Sequence, residues 1–258
     1  MWNRCLIAVM FMIVLAPGHS GAMCQDATEV PFKTGEKLTF ELKWEFIKAG
    51  TAVLEVMPMT EVNGIPARHF LLTVKSTSFI DTFYMVRDTI EAFTDGGMTR
   101  SLLYKKRQQE GKHRRDIVVR FDWENQEAHY TNFGKPAKPV KVLPGTFDPF
   151  SIFYAFRMCH LKENLELDAS VSDGKKCVMG RAKIVKRELI KVNDRSYDTF
   201  LVEPDLKDVG GVFKKSKNAK LHIWVSNDSR KLPVRIASSV VVGEFIADLV
   251  SVDHMPAP

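Results

Sequence analysis

The amino-acid sequence predicts a mainly β protein, a curved antiparallel sheet forming an open or closed barrel with one short buried helix. Three observations predict it. Apolar and polar residues alternate over most of the chain: Leu38, Phe40, Leu42, Trp44 and Phe46 are set against Thr39, Glu41, Lys43 and Glu45. A period of two puts the apolar set on one face of a strand and leaves the other face wet. Short polar connections join these stretches, as antiparallel neighbours require, and no alternation of strands with long amphipathic helices suggests a parallel α/β sheet.

The elements follow in order. Residues 1–22 read as an export signal: Arg4 is the basic start, Leu6 to Leu15 is an apolar run too short to span a bilayer comfortably, and Ser20-Gly21-Ala22 supplies small residues for a signal peptidase. Removal of this segment leaves 23–258 as one periplasmic antiparallel β domain, with an internal division near 134–146 as the alternative. Cleavage after Ala22 is preferred to a lipid anchor on Cys24, because Gly21 and Met23 stand where lipoprotein processing wants a Leu-like and a small residue.

The strand that begins at Leu38 is followed by Thr51 to Met57, a tight Asn63-Gly64 turn and Arg68 to Thr77, which together make a meander. Further strands are expected at Arg87 to Thr94, Ser101 to Gln108, Arg115 to Trp123 and Glu127 to Thr131. Gly134 to Pro144, with three prolines and three lysines, reads as a linker. Pro149 to Cys159 is predicted to be the short buried helix, capped by Asp148, with Pro149 at the first helical position and apolar residues almost all round. Strands return at Lys176 to Arg181, Ala182 to Val192 and Ser196 to Glu203. The closing hairpin alternates Leu221, Ile223 and Val225 with His222, Trp224 and Ser226, turns at Asn227 to Arg230, and leads to an apolar strand pair around Gly243.

Charge and cysteine usage bound the partners. The formal net charge of +6 favours an anionic surface such as a membrane or an envelope polymer, and nucleic acid is not expected of an exported chain without a binding module. Lys106, Arg107, Arg114 and Arg115 face one another across a hairpin at Glu110-Gly111 and form a candidate anionic-surface patch, unless they are simply solvated strand faces. Cys159 and Cys177 are a candidate disulfide whose short loop would be worth about 3 kcal/mol. The alternative is two buried thiols.

No catalytic motif is present: there is no Gly-x-Ser-x-Gly elbow, His-Glu-x-x-His helix, phosphate loop or Cys-x-x-Cys pair. The histidines are scattered singly, so neither a metal nor another cofactor is expected. Asp81 and Asp88 flank an aromatic stretch and read as turn or wet-face residues. With His69 they would form the site of a hydrolase, which ranks last among three functional readings.

The stretches GEKLTFELKWEFIKAGTAVLEV at Gly35 to Val56, DPFSIFYAFR at Asp148 to Arg157 and LHIWVSNDSRKLPVRI at Leu221 to Ile236 resemble, in that order, the exported bacterial family called domain of unknown function 3108. That resemblance implies no activity and assigns no residues. The closing hairpin, with Trp224, Asn227-Asp228 and Leu232 to Arg235, also resembles envelope carriers of the lipoprotein-localisation type. The second resemblance implies an incomplete antiparallel barrel around an apolar cavity covered by helices.

The expected function is therefore a non-enzymatic envelope protein that binds a lipid or lipidated peptide inside a curved sheet. Leu38, Phe40, Leu42, Trp44, Phe121, Trp123, Phe153 and Trp224 are the candidate lining residues. The alternative is an envelope adaptor that docks a partner protein and has a packed core without a ligand.

Overall fold

The computed structural model describes residues 30–206, 216, 219–241 and 243–254, so the export signal and Cys24 lie outside the described residues. Fifteen strands form one antiparallel sheet. The first half contributes β1 (Glu36–Trp44), β2 (Ile47–Val62), β3 (Ile65–Ser76), β4 (Arg87–Asp95), β5 (Ser101–Glu110), β6 (His113–Asp122) and β7 (Glu127–Asn132). Two-residue strands β8 (Lys135–Pro136) and β9 (Val140–Lys141) both pair with β7. The second half contributes β10 (Glu166–Ser172), β11 (Cys177–Val192), β12 (Arg195–Pro204), β13 (Lys220–Ser226), β14 (Pro233–Val240) and β15 (Gly243–His254).

The two halves join where β15 pairs with β1, so the sheet runs from β10 through β15 and β1 to β7 and β8 without closing. The segment that follows β9 runs along the edge of β10. Phe147 bridges Val171 in parallel, its N–H donating to Ser170 O and its carbonyl accepting from Ser172 N, while Ser101 N donates to Thr146 O. Irregular backbone thus covers part of the edge of β10 that an open sheet leaves unpaired. The segment predicted to be a linker is attached to β7 through β8 and β9.

Alternation places Leu38 and Phe40 of β1, Leu54 of β2, Phe70 and Leu72 of β3 and Ile223 and Val225 of β13 in the core. The Asn63-Gly64 turn has the positive φ angles its sequence suggests, 52° and 79°. β11 is continuous where two strands were expected, with a register shift between Ile184 and Lys186. Such a shift bends a strand without ending it.

Two helices among the described residues pack on this frame. α2 (Ser151–Arg157) is shorter than the predicted Pro149 to Cys159. Asp148 accepts hydrogen bonds from Phe150 N and Ser151 N at 2.8 Å each, and burial pushes its carboxyl pKa upward. α2 is held in the sheet's concavity by Tyr154, whose ring stacks on Phe70 at 3.9 Å between centroids.

α1 (Ser78–Tyr84) is a correction, since turn or wet-face residues were expected there. Thr77 caps it by accepting from Ile80 N. Ile80 and Tyr84 face inward and Phe79 and Phe83 outward, the i, i+4 pairing of a short amphipathic helix.

Candidate functional site

The concave side of the sheet presents two chemically different regions. The first is a half-open cleft between α2 and the strands β10 to β13, with a cavity volume of about 60 Å³. Ile152, Phe153 and Phe156 of α2 form one wall, and Val171, Val202 and Ile223 lie opposite. The walls are apolar because α2 carries apolar residues around most of its circumference and because alternation turns Val171, Val202 and Ile223 inward.

Charge is confined to a few lining positions. Arg157 is tied to Glu36, and Arg181 donates to Asp168 at 2.9 Å. Lys231 forms no ion pair among the described residues. The cleft therefore offers an apolar bed with a cationic group beside it, a setting for a molecule with an apolar tail and a polar or anionic end.

The second region is a buried polar cluster near the β5–β6 hairpin, made by Asp88, Lys106, Gln108 and Glu110. Gln108 Nε2 donates to Glu110 Oε1 at 2.7 Å, and Gln109 N donates to Asp88 Oδ1 at 2.9 Å. Burial, reinforced by the neighbouring Glu110 carboxylate, pushes the Asp88 pKa up to about 7, while burial lowers that of Lys106. Gln108 and Arg115 are cross-strand partners, as are Lys106 and Ile117, so Lys106 and Arg115 share the inner face. Arg107 pairs with Asp116 and Arg114 with Gln109 on the outer face. The predicted four-residue patch is divided by the pleat, and Lys106 is inside the molecule.

Of the predicted lining residues, only Phe153 borders the cleft. Leu38 and Phe40 are wholly buried in the core, Leu42 and Trp44 are half-buried beside it, and Trp44 stacks on Phe245. Phe121 is buried and stacks on Trp123, whose indole N–H donates to Ser101 O. Trp224 alternates with the cleft residues Ile223 and Val225 and points the other way, donating to Glu188 Oε1 at 3.0 Å with its ring against His222. The alternation already visible around Leu221, Ile223 and Val225 indicates this phase; the size of the indole pointed to the wrong one. Ile152 and Phe156 carried a signal too, since the apolar circumference of the helix is written in the sequence.

Other predicted sites are also separated. Cys159 and Cys177 both stay as thiols, the first buried behind α2 and the second at the start of β11 with its Sγ 3.2 Å from Ser170 Oγ. Asp81 is held by Arg87 and Ser76 on α1, whereas His69 stacks on Phe93 and contacts Glu91 at 3.3 Å on the outer face. Asp88 is inside, so the three do not converge. Among the described residues, no group of three or more His, Cys, Asp or Glu side chains is arranged to hold a metal.

Comparison with known proteins agrees with this architecture. A family model described as "Protein of unknown function (DUF3108)" matches residues 39–250. The chain is similar to a solved β-barrel-like protein of domain of unknown function DUF1849 from Brucella abortus, at 9% identity and a TM-score of 0.51, over 86% of this chain and 98% of that one. It also overlaps a protein of YmcC-like fold from Bacteroides fragilis, at 9% identity and a TM-score of 0.37, over 86% and 96% of the two chains. No curated protein matches.

Proposed function

The chain belongs to the DUF3108 family of proteins of unknown function, and from that premise we propose that it is a non-enzymatic envelope protein that binds the apolar part of a lipid or lipidated peptide. The observation that supports this reading is the apolar cleft between α2 and β10 to β13. Its volume, about 60 Å³, is smaller than the roughly 150 Å³ apolar cavity known to take up benzene. The cleft thus receives a few methylene groups, and the rest of the ligand lies over its open side towards Lys231 and Arg181. The export pattern of residues 1–22 supports the location.

The test is native mass spectrometry of the purified protein with lipid analysis of an organic extract, followed by titration with a dansyl-labelled fatty acid. A bound lipid, together with a saturable fluorescence change that Ala169→Trp abolishes by filling the cleft's mouth, is the expected result. A bare polypeptide mass with no saturable change would sink the proposal in favour of an adaptor with a packed interior.

A further inference from the structure

Five of the ten large apolar side chains that stand exposed among the described residues lie on one rim of the sheet. They are Phe46 at 99% exposure, Ile47 at 40%, Phe79 at 60%, Phe83 at 50% and Val241 at 70%. Four neighbouring segments make this rim. The β14–β15 hairpin meets the β1–β2 turn where Glu45 N donates to Glu244 O at 2.9 Å. That turn meets α1 where Thr77 N donates to Ala49 O at 2.9 Å, and α1 meets the β5–β6 hairpin where Gly111 N donates to Met85 O at 2.8 Å. Antiparallel order requires this, because β1, β3, β5 and β14 all end, and the strands after them begin, at the same end of the sheet.

Exposed cations are interleaved with these side chains: Lys48, Lys75, Lys112 and Arg114. Lys48 is paired with Glu41, whereas Lys75, Lys112 and Arg114 form no ion pair among the described residues. The carboxylates of this end are partly engaged, since Asp81 is clamped by Arg87 and Glu45 accepts from Glu244 N. Phe79 and Phe83 pack edge to face at 5.6 Å, so they project as one aromatic unit from the outer face of α1.

From this juxtaposition of exposed aromatic tips and unpaired cations we infer that the rim docks on the surface of an anionic lipid bilayer. Side chains carried separately on turn tips and a one-sided helix suit a soft apolar layer, into which each can sink independently. Lysine and arginine stems can lie along that layer with their charges among the headgroups. Each cation near such a surface adds attraction that salt weakens. The inference is independent of the cleft: the rim positions the protein on the bilayer whether or not a ligand is bound.

Co-sedimentation with phosphatidylglycerol–phosphatidylethanolamine vesicles tests it, with phosphatidylcholine vesicles as the uncharged control. Binding to the anionic vesicles is expected to fall steeply in about 0.5 M sodium chloride. It should be at least about tenfold weaker in a variant combining Phe46→Ser, Phe79→Ser and Phe83→Ser, whose circular dichroism stays unchanged because the side chains are exposed. If the combined variant does not fold, Phe46→Ser alone serves, since that side chain is almost fully in water. Absence of wild-type binding to the anionic vesicles, or equal binding by the variant, overturns the inference. Self-association in ultracentrifugation that Phe46→Ser removes, without any vesicle binding, would assign the rim to a second copy instead.

Discussion

Arg157 donates two hydrogen bonds to Glu36, at 2.6 and 3.0 Å, with both side chains almost wholly shut away from water. The pair ties the last residue of α2 to the first residue of β1, and Arg157 also donates to Arg230 O. Breaking such a pair from one side strands the other charge in the interior, at a cost of about 3–5 kcal/mol. Glu36→Ala should lose stability on that scale in urea unfolding. Arg157→Lys, which keeps the charge but cannot form the fork, should lose part of that stability. Wild-type stability in Glu36→Ala would mean that the pair does not anchor the helix.

Asp88 predicts a pH dependence. Its folded pKa of about 7 lies above the ordinary carboxyl value of 3.8, so near neutral pH the native state holds a proton that the unfolded state has released. Stability from this group is full below the unfolded pKa and is lost as pH rises through the folded one, at up to about 1.4 kcal/mol per pH unit in the window between the two values. Asp88→Asn keeps an acceptor for Gln109 N and removes the titration. A melting curve measured from pH 4 to pH 8 should therefore be flatter in the variant, and parallel profiles would contradict the assignment.

Gly50 of β2 is fixed by close approach. A Cβ there would sit 2.5 Å from Lys75 O and 3.1 Å from the Ser76 Cα, both backbone atoms of β3 that cannot swing aside. Gly50→Ala should cost about 1–3 kcal/mol, as overpacking generally does. A denaturation midpoint equal to wild type would show that β3 moves freely at this point.

The phase of β13 can be tested directly. Trp224→Phe removes an indole from the outer face and should leave dansyl fatty-acid binding within about twofold of wild type, whereas Ala169→Trp should abolish it. Equal loss in both variants would place the ligand somewhere other than this cleft.

The strands were legible because alternation is a local property: Leu38, Phe40 and Leu54 declare their face within a few residues. α2 was legible from composition, but its first residue is Ser151 and its N-cap Phe150, so Pro149 does not hold the first helical position the sequence suggested. α1 was missed because seven residues between two strands give too short a window for helical period to show against the flanking alternation. Lys106 was misplaced because a basic run suggests solvent, while the pleat assigns every second member to the interior. The cleft itself could not be read, since its walls come from α2 and the strands β10 to β13 and exist only once those elements are docked.

The pairing of β1 with β15 has a consequence for how the chain reaches its native state. Within each half of the sheet, strands consecutive in the chain are neighbours, so each half can zip up from contacts nearer in sequence than the junction. The junction between them lies at the middle of the finished sheet, yet it needs partners from opposite ends of the described chain. Until β15 arrives, β1 and β14 each present a bare edge, and a chain halted at that stage is open to pairing with a stranger. The pairing that joins the two halves is also the one that covers both bare edges.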